Sequence, residues 1–185
     1  MKDRDYQMLQ YISTNYDLIV DTREQINPRY EARMESFQRM NLTPVRRKLF
    51  AGDYSAIAKT PHGTIDYTER IAIERKLDAT ELVSCLNGPN RPRFEAELKR
   101  AHNNGCRLYI VTEGSSYADL AAGNYRNDVD PRLVLATYHA FEQRYGCQFV
   151  FVPQGCFPIF VHETLRRFIM DDLVAKFKAG KIKLS

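Results

Sequence analysis

The second half of the chain is what most constrains its fold. Starting at Cys106, CRLYIVTEG is a short apolar, β-branched run of strand length. Asp130-Pro131 then opens a helical pattern, PRLVLATYHAFEQRYG, which Gly146 closes. CQFVFVP repeats the strand, and Phe157 to Phe177 repeats the helix as a long amphipathic segment. Strand and helix in alternation bury their apolar sides by laying helices against a sheet, so this half is α/β.

The first half delivers strands in closer succession. YDLIVD, from Tyr16, reads as a buried strand ending in the polar cluster TREQ, which puts Asp21 and Glu24 at a strand-to-loop edge. Pro28 to Arg39 has helical spacing of Tyr30, Met34 and Phe37, and Pro44 blocks its continuation. VRRKLFAGDYSAIAKT predicts two strand segments on either side of Gly52-Asp53, with a turn at Pro61-His62-Gly63. IDYTERIAIERK returns as a strand with Ile71 and Ile73 on one face and Glu74 and Lys76 on the other. Helices are expected from Ala79 to Leu86 and from Arg93 to Asn103, separated by Asn87-Gly88-Pro89. The reading is a mixed central sheet with helices on both faces. At 185 residues, residues 1–185 are expected to form a single domain, with a core of about 16–177 and a short basic C-terminal tail.

A formal charge of +4 and a pI near 8.9 suit an anionic partner without the excess of a purely charge-driven DNA binder. The four cysteines form no C-x-x-C pair and have no histidine at zinc-ligand spacing, so they are read as reduced, mostly buried thiols. No run approaches the roughly 20 apolar residues needed to span a bilayer. The expected setting is soluble and cytoplasmic, with no membrane partner. A Gly-rich phosphate loop and a Gly-x-Ser-x-Gly elbow are both missing, which removes the usual nucleotide-binding and serine-hydrolase readings.

The chemistry is carried by Asp53, Glu74 and Lys76. Two carboxylates on one hard divalent ion, with an ammonium alongside, are what phosphodiester hydrolysis calls for. Such an ion, Mg2+ or Mn2+, acidifies a bound water and neutralises charge growing on the phosphate. Asp53 and Glu74 are the candidate ligands, and Asp21 can supply a further carboxylate. Lys76 can orient the attacking water or act as a fixed charge on the pentavalent phosphate. Taken singly, a Gly-Asp is usually a turn and a Glu-x-Lys a solvated face. Their order is more informative: an apolar strand ending in DTRE, then GDY, then an apolar strand ending in IERK.

In these segments the chain resembles the XPF-type family of structure-selective endonucleases. The matching residues are Val20-Asp21-Thr22-Arg23-Glu24, Gly52-Asp53 and Ile73-Glu74-Arg75-Lys76. Arg93-Phe94 opening a helix with Glu97 and Arg100 is similar to the family's Arg-Phe helix, and LYIVTEG to its next core strand. The likeness is close over roughly Asp17 to Gly114. It implies a restriction-endonuclease-like fold, Mg2+ or Mn2+ dependence and cleavage of branched, flapped or single-strand/double-strand junction DNA. It also implies metal binding by Asp53 and Glu74, a catalytic role for Lys76, and supporting roles for Asp21, Glu24 and Arg75. The family's acidic residue four places after the lysine is here Thr80; Glu81 comes one place later, a turn of about 100° on a helix, with Asp78 as a substitute. The chain ends soon after its last helix, so the helix-hairpin-helix module that often follows is not expected. DNA grip then falls to the nuclease surface, a heteromeric partner or a second copy in a homodimer.

Arg91, Arg93 and Arg100 are the candidate phosphate contacts. Tyr54 and Tyr67 flank the hairpin, either to stack on an unpaired base or, more often for such residues, to cover a sheet face. The final helix has more apolar surface than one stripe needs, which suits either a broad core-facing helix or a dimer contact. The rival to a nuclease is a catalytically inactive DNA-binding module or partner subunit on the same fold; retention of the acidic residues and the lysine argues against it.

Overall fold

A computed structural model describes residues 1–184. Seven strands and seven helices follow in the order α1 (Asp3–Thr14), β1 (Tyr16–Val20), α2 (Pro28–Arg39), β2 (Thr43–Arg46), β3 (Tyr54–Thr60), β4 (Gly63–Asp66), β5 (Ile71–Lys76), α3 (Ala79–Asn87), α4 (Arg91–Asn103), β6 (Arg107–Glu113), α5 (Tyr117–Ala122), α6 (Pro131–Tyr145), β7 (Gln148–Val152) and α7 (Phe157–Lys178). The fold is α/β, with a mixed sheet flanked by helices, as expected. Its contacts divide it into two compact units. One comprises Met1–Leu49, Tyr54–Ile71 and the chain from Pro158; the other comprises Phe50–Asp53 and Ala72–Phe157.

In the first unit β1 runs parallel to β2, with Asp17 opposite Thr43, and antiparallel to β3, with Val20 opposite Tyr54. β3 then folds back on β4. Asn27 and Pro28 start α2: the Asn27 side chain accepts the Tyr30 N–H at 3.0 Å, and Pro28 occupies the first turn, where no amide donor is needed. Along α7, Val161, Leu165, Ile169 and Leu173 recur every fourth residue and are fully buried. The apolar surplus of this helix is partly absorbed within the unit. Phe168 meets Tyr67 edge-on, with ring centroids 5.8 Å apart, and the Arg70 guanidinium lies over both rings. Ile159 stays exposed. Tyr54 and Tyr67 are fully buried, so their rings cover core rather than stacking on a base.

In the second unit β6 pairs in parallel with β7, Glu113 opposite Val152, and β5 is its other neighbour. Leu82, Leu86, Phe94, Leu98, Val134 and Phe141 from α3, α4 and α6 pack with Leu108 and Ile110 of β6. Tyr138 stacks on Phe149 with centroids 4.4 Å apart. Asp78, Ser116 and Asp130 cap α3, α5 and α6, and Gly146 ends α6 in the left-handed conformation.

Three elements differ from the sequence expectation. α1 and α5 were not foreseen: few apolar residues mark them, with only Leu9, Ile12 and Ser13 buried in α1 and Leu120 in α5. β2 ends at Arg46, so the segment preceding Gly52 is irregular rather than strand. β5 sets Glu74 and Lys76 on the face opposite Ile71 and Ile73, and Ala72, Glu74 and Lys76 are all buried there. Among the described residues no helix is long and apolar enough to cross a membrane, and all four cysteines are free thiols.

Candidate active site

The site is built in the second unit on β5 and on the turn at Gly52-Asp53. Gly52 has φ +70°, a conformation that costs any residue with a Cβ. A Cβ there would lie 3.0 Å from the Ala72 Cβ and 3.1 Å from the Ile73 carbonyl oxygen. The turn is fastened at three points. The Gly52 N–H donates to Glu97 Oε1 at 2.8 Å, the Asp53 N–H to the Ile73 carbonyl at 2.9 Å, and the Arg75 N–H to Asp53 Oδ2 at 2.8 Å. Gly52→Ala is therefore expected to destabilise the protein by about 1–3 kcal/mol through backbone strain. Urea unfolding of the two proteins measures this, and equal midpoints would contradict the strain.

Two residues apart on β5, Glu74 and Lys76 form a direct ion pair, both side chains nearly inaccessible. The Lys76 ammonium also lies 5.0 Å from the Phe94 ring centroid. Burial by itself would lower the lysine pKa, but the charge and hydrogen bond of Glu74, with Cys85 and Asp53, raise it above the ordinary value. Glu74 thus favours the cationic form of Lys76, which suits electrostatic stabilisation. A cleft of about 200 Å³ opens onto Glu74 and Lys76 and is also lined by Glu81, Arg93, Phe94 and Glu97.

The other predicted residues take distinct places. Arg75 points to a different set of neighbours: its Nε and Nη2 reach Glu113 Oε2 at 2.8 and 2.5 Å, and its guanidinium lies 5.6 Å from the Phe157 ring centroid. Glu113 Oε1 accepts the Gly155 N–H at 3.3 Å. Arg75 therefore braces β5 against β6 and the loop after β7. Glu81 stands in the first turn of α3, where its carboxylate accepts the Leu77 N–H at 2.7 Å while its own N–H donates to Asp78. Its shifted position thus anchors the end of β5 and still borders the cleft. Of the candidate DNA-binding arginines, Arg93 lines the cleft. Arg91 pairs with Glu95 at 3.6 Å and covers Phe141. Arg100 donates to the Phe50 carbonyl at 3.1 Å and covers the Phe50 ring.

Asp21 and Glu24 belong to the first unit. Asp21 is fully buried; Oδ1 accepts the Arg23 N–H and Nε–H, each at 2.7 Å, and Oδ2 accepts the Leu49 N–H at 2.6 Å and Arg23 Nη2 at 3.0 Å. Burial alone would raise its pKa, but these hydrogen bonds and the Arg23 charge hold it below the usual carboxylate range. Glu24 accepts Arg33 Nη2 at 2.6 Å and the Tyr54 hydroxyl at 3.4 Å. Both acids brace loops in this structure. Asp21→Ala should cost about 2–4 kcal/mol by leaving the Leu49 donor unsatisfied. Because the folded pKa is depressed, the carboxylate contributes fully above its unfolded value near 4, and the contribution fades as pH falls through the lower folded value. The gap between native and variant stability is expected to narrow in acid, and a constant gap from pH 7 to pH 3 would contradict this.

Sequence reasoning did not assign Glu97 and Glu113, which hold Gly52 and Arg75. Only their positions, on the helix opened by Arg93-Phe94 and at the end of an apolar strand, hinted at a role. Among the described residues no three His, Cys, Asp or Glu side chains form a ready-made metal cage. The donor chemistry still fits a hard cation such as Mg2+, which binds through one or two carboxylates and takes water and phosphate oxygens for the rest.

An Asp/Glu/Lys group carried on β5 and its neighbouring turn, within a mixed α/β sheet, defines a nuclease-fold, DNA-processing domain. The chain belongs to the ERCC4 domain family, whose model matches residues 20–154. Its fold is similar to XPF from Aeropyrum pernix (TM-score 0.57, 19% identity), covering 81% of this chain and 65% of that one. It is also similar to XPF from Aeropyrum pernix in complex with DNA (TM-score 0.56, 17% identity), covering 85% and 66%. The chain thus spans slightly less than two thirds of those structures. No curated protein sequence matches it significantly.

Proposed function

We propose that this chain is a divalent-metal-dependent DNA endonuclease that hydrolyses phosphodiester bonds at branched, flapped or single-strand/double-strand junctions. The observation that carries the reading is the buried Glu74–Lys76 ion pair beside an open cleft, on a strand whose Arg75 N–H is tied to the Asp53 carboxylate. Asp53 and Glu74 would hold Mg2+ or Mn2+, which when bound supplies an acidified water and a positive charge at the phosphate. Lys76, paired with Glu74, stabilises negative charge developing on the phosphate oxygens. Arg93, on the cleft wall, is placed to take a flanking phosphate. Arg75 keeps β5 in register through Glu113. Asp21, with both oxygens already engaged, supports the first unit rather than serving as a ligand. Membership of the ERCC4 family and the likeness to a DNA-bound XPF support DNA as the substrate.

The test is cleavage of flap, fork and single-stranded DNA under Mg2+ and Mn2+ by the native chain and Asp53→Asn. Metal-dependent incision by the native chain alone is expected. Equal incision by both would remove the assignment. Binding to forked DNA with no cutting under either metal would favour a DNA-binding module or the inactive subunit of a heteromer. The direct Glu74–Lys76 pair, which occupies one oxygen of a proposed ligand, is the observation on that side.

A further inference from the structure

Glu97 is separated from Gly52 by 45 residues, yet its carboxylate takes the Gly52 N–H at 2.8 Å. We propose that Glu97 is a positioning residue, which by accepting this N–H holds the left-handed turn that delivers Asp53 to Glu74 and Lys76. The proposal rests on reading this site as the nuclease centre.

The turn has no strand partner for that amide. The flanking bonds are the backbone bond from Asp53 N–H to Ile73 O and the Arg75 N–H donated to the Asp53 side chain, while the Gly52 donor is satisfied by the Glu97 carboxylate. At φ +70° the turn is permissive to glycine and conformationally costly to order, so a third anchor is what confines it. That anchor comes from α4, the helix that also carries Arg93 and Phe94 into the cleft. The Asp53 carboxylate is thereby tied to a helix face that borders the substrate space, and not to β5 alone. Glu97 also lines the cleft, so its reach to Gly52 and its negative charge must be separated experimentally.

Three variants do this. Glu97→Ala removes both reach and charge, Glu97→Gln keeps the reach, and Glu97→Asp keeps the charge on a side chain one methylene shorter. Mn2+ affinity by titration calorimetry and fork cleavage are expected to fall by about 10–100-fold in Ala and Asp, the range for a residue that orients a ligand, and to be restored by Gln. Amide hydrogen exchange at Gly52 and Arg75, read by NMR without metal or DNA, should quicken about tenfold or more in Ala and Asp but not in Gln. If Gln is as impaired as Ala while Asp matches the native chain, Glu97 acts through its charge and the proposal is overturned. Unchanged exchange in all three overturns it as well. If the native chain binds no Mn2+ and cuts no DNA, the nuclease reading fails, and the exchange order alone decides whether Glu97 places Asp53.

Discussion

Lys76→Ala is expected to cut a forked duplex about 10³-fold more slowly than the native chain at saturating metal, the upper end of the effect of deleting one preorganised charge at a developing oxyanion. The size follows from the surroundings. The ammonium is nearly inaccessible to solvent and is oriented by Glu74 and by the Phe94 ring, so its field is little screened by water and requires no reorganisation during the reaction. Lys76→Arg should recover little, because a planar guanidinium has a different shape and hydrogen-bond geometry from a compact ammonium in a packed site. Removing Lys76 also leaves Glu74 buried without its counter-charge, so a loss of about 3–5 kcal/mol in folding stability is expected. Single-turnover cleavage beside urea unfolding checks both, and a Lys76→Ala chain that cuts at the native rate would exclude any role for this charge.

Glu113→Ala should be the most destabilising single change outside the catalytic group. The Arg75 and Glu113 side chains are 12% and 4% exposed, and Glu113 also takes the Gly155 N–H. Truncating the acid leaves the guanidinium largely buried beside Phe157 and the Gly155 donor unpaired. About 3–5 kcal/mol is the expected loss, roughly 10 °C in Tm for a chain of this size. Arg75→Met combined with Glu113→Leu should recover much of it, since desolvation of both charges is then relieved together. The double variant reports on function as well: if Arg75 only braces β5, cleavage returns with stability, whereas a folded but inactive double variant would place Arg75 at the DNA. Thermal denaturation and cleavage of the three proteins decide this.

Much of the architecture was legible before any coordinates. The spacing in Pro28–Arg39 marked α2 from end to end, the proline and glycine signals around PRLVLATYHAFEQRYG bounded α6, and the β-branched runs marked β1, β6 and β7. Gly52-Asp53 and Glu74-Arg75-Lys76 were recognisable from their order along the chain and their resemblance to the XPF-type motif, and the two-residue period of a strand set Glu74 and Lys76 on one face. α1 was not recognisable, since charged and polar residues dilute its helical period, and the six residues of α5 are too few to show one.

Local order in the chain determined the elements, the candidate acids and the lysine, because backbone preference and side-chain period act over a few residues. Which groups became buried, and against what, was decided only when distant segments met. Periodicity placed Glu74 and Lys76 opposite Ile71 and Ile73, and only the packing of the second unit buries that face as well. Arg91 and Arg100, the candidate phosphate contacts, lie over Phe141 and Phe50, partners that their own positions in the chain do not reveal. Asp21, a candidate further carboxylate, takes the N–H of Leu49, 28 residues away. The physical reason is common to all three. A hydrogen bond or ion pair depends on distance in space, and residues far apart in sequence come within that distance only through the packing of the whole unit.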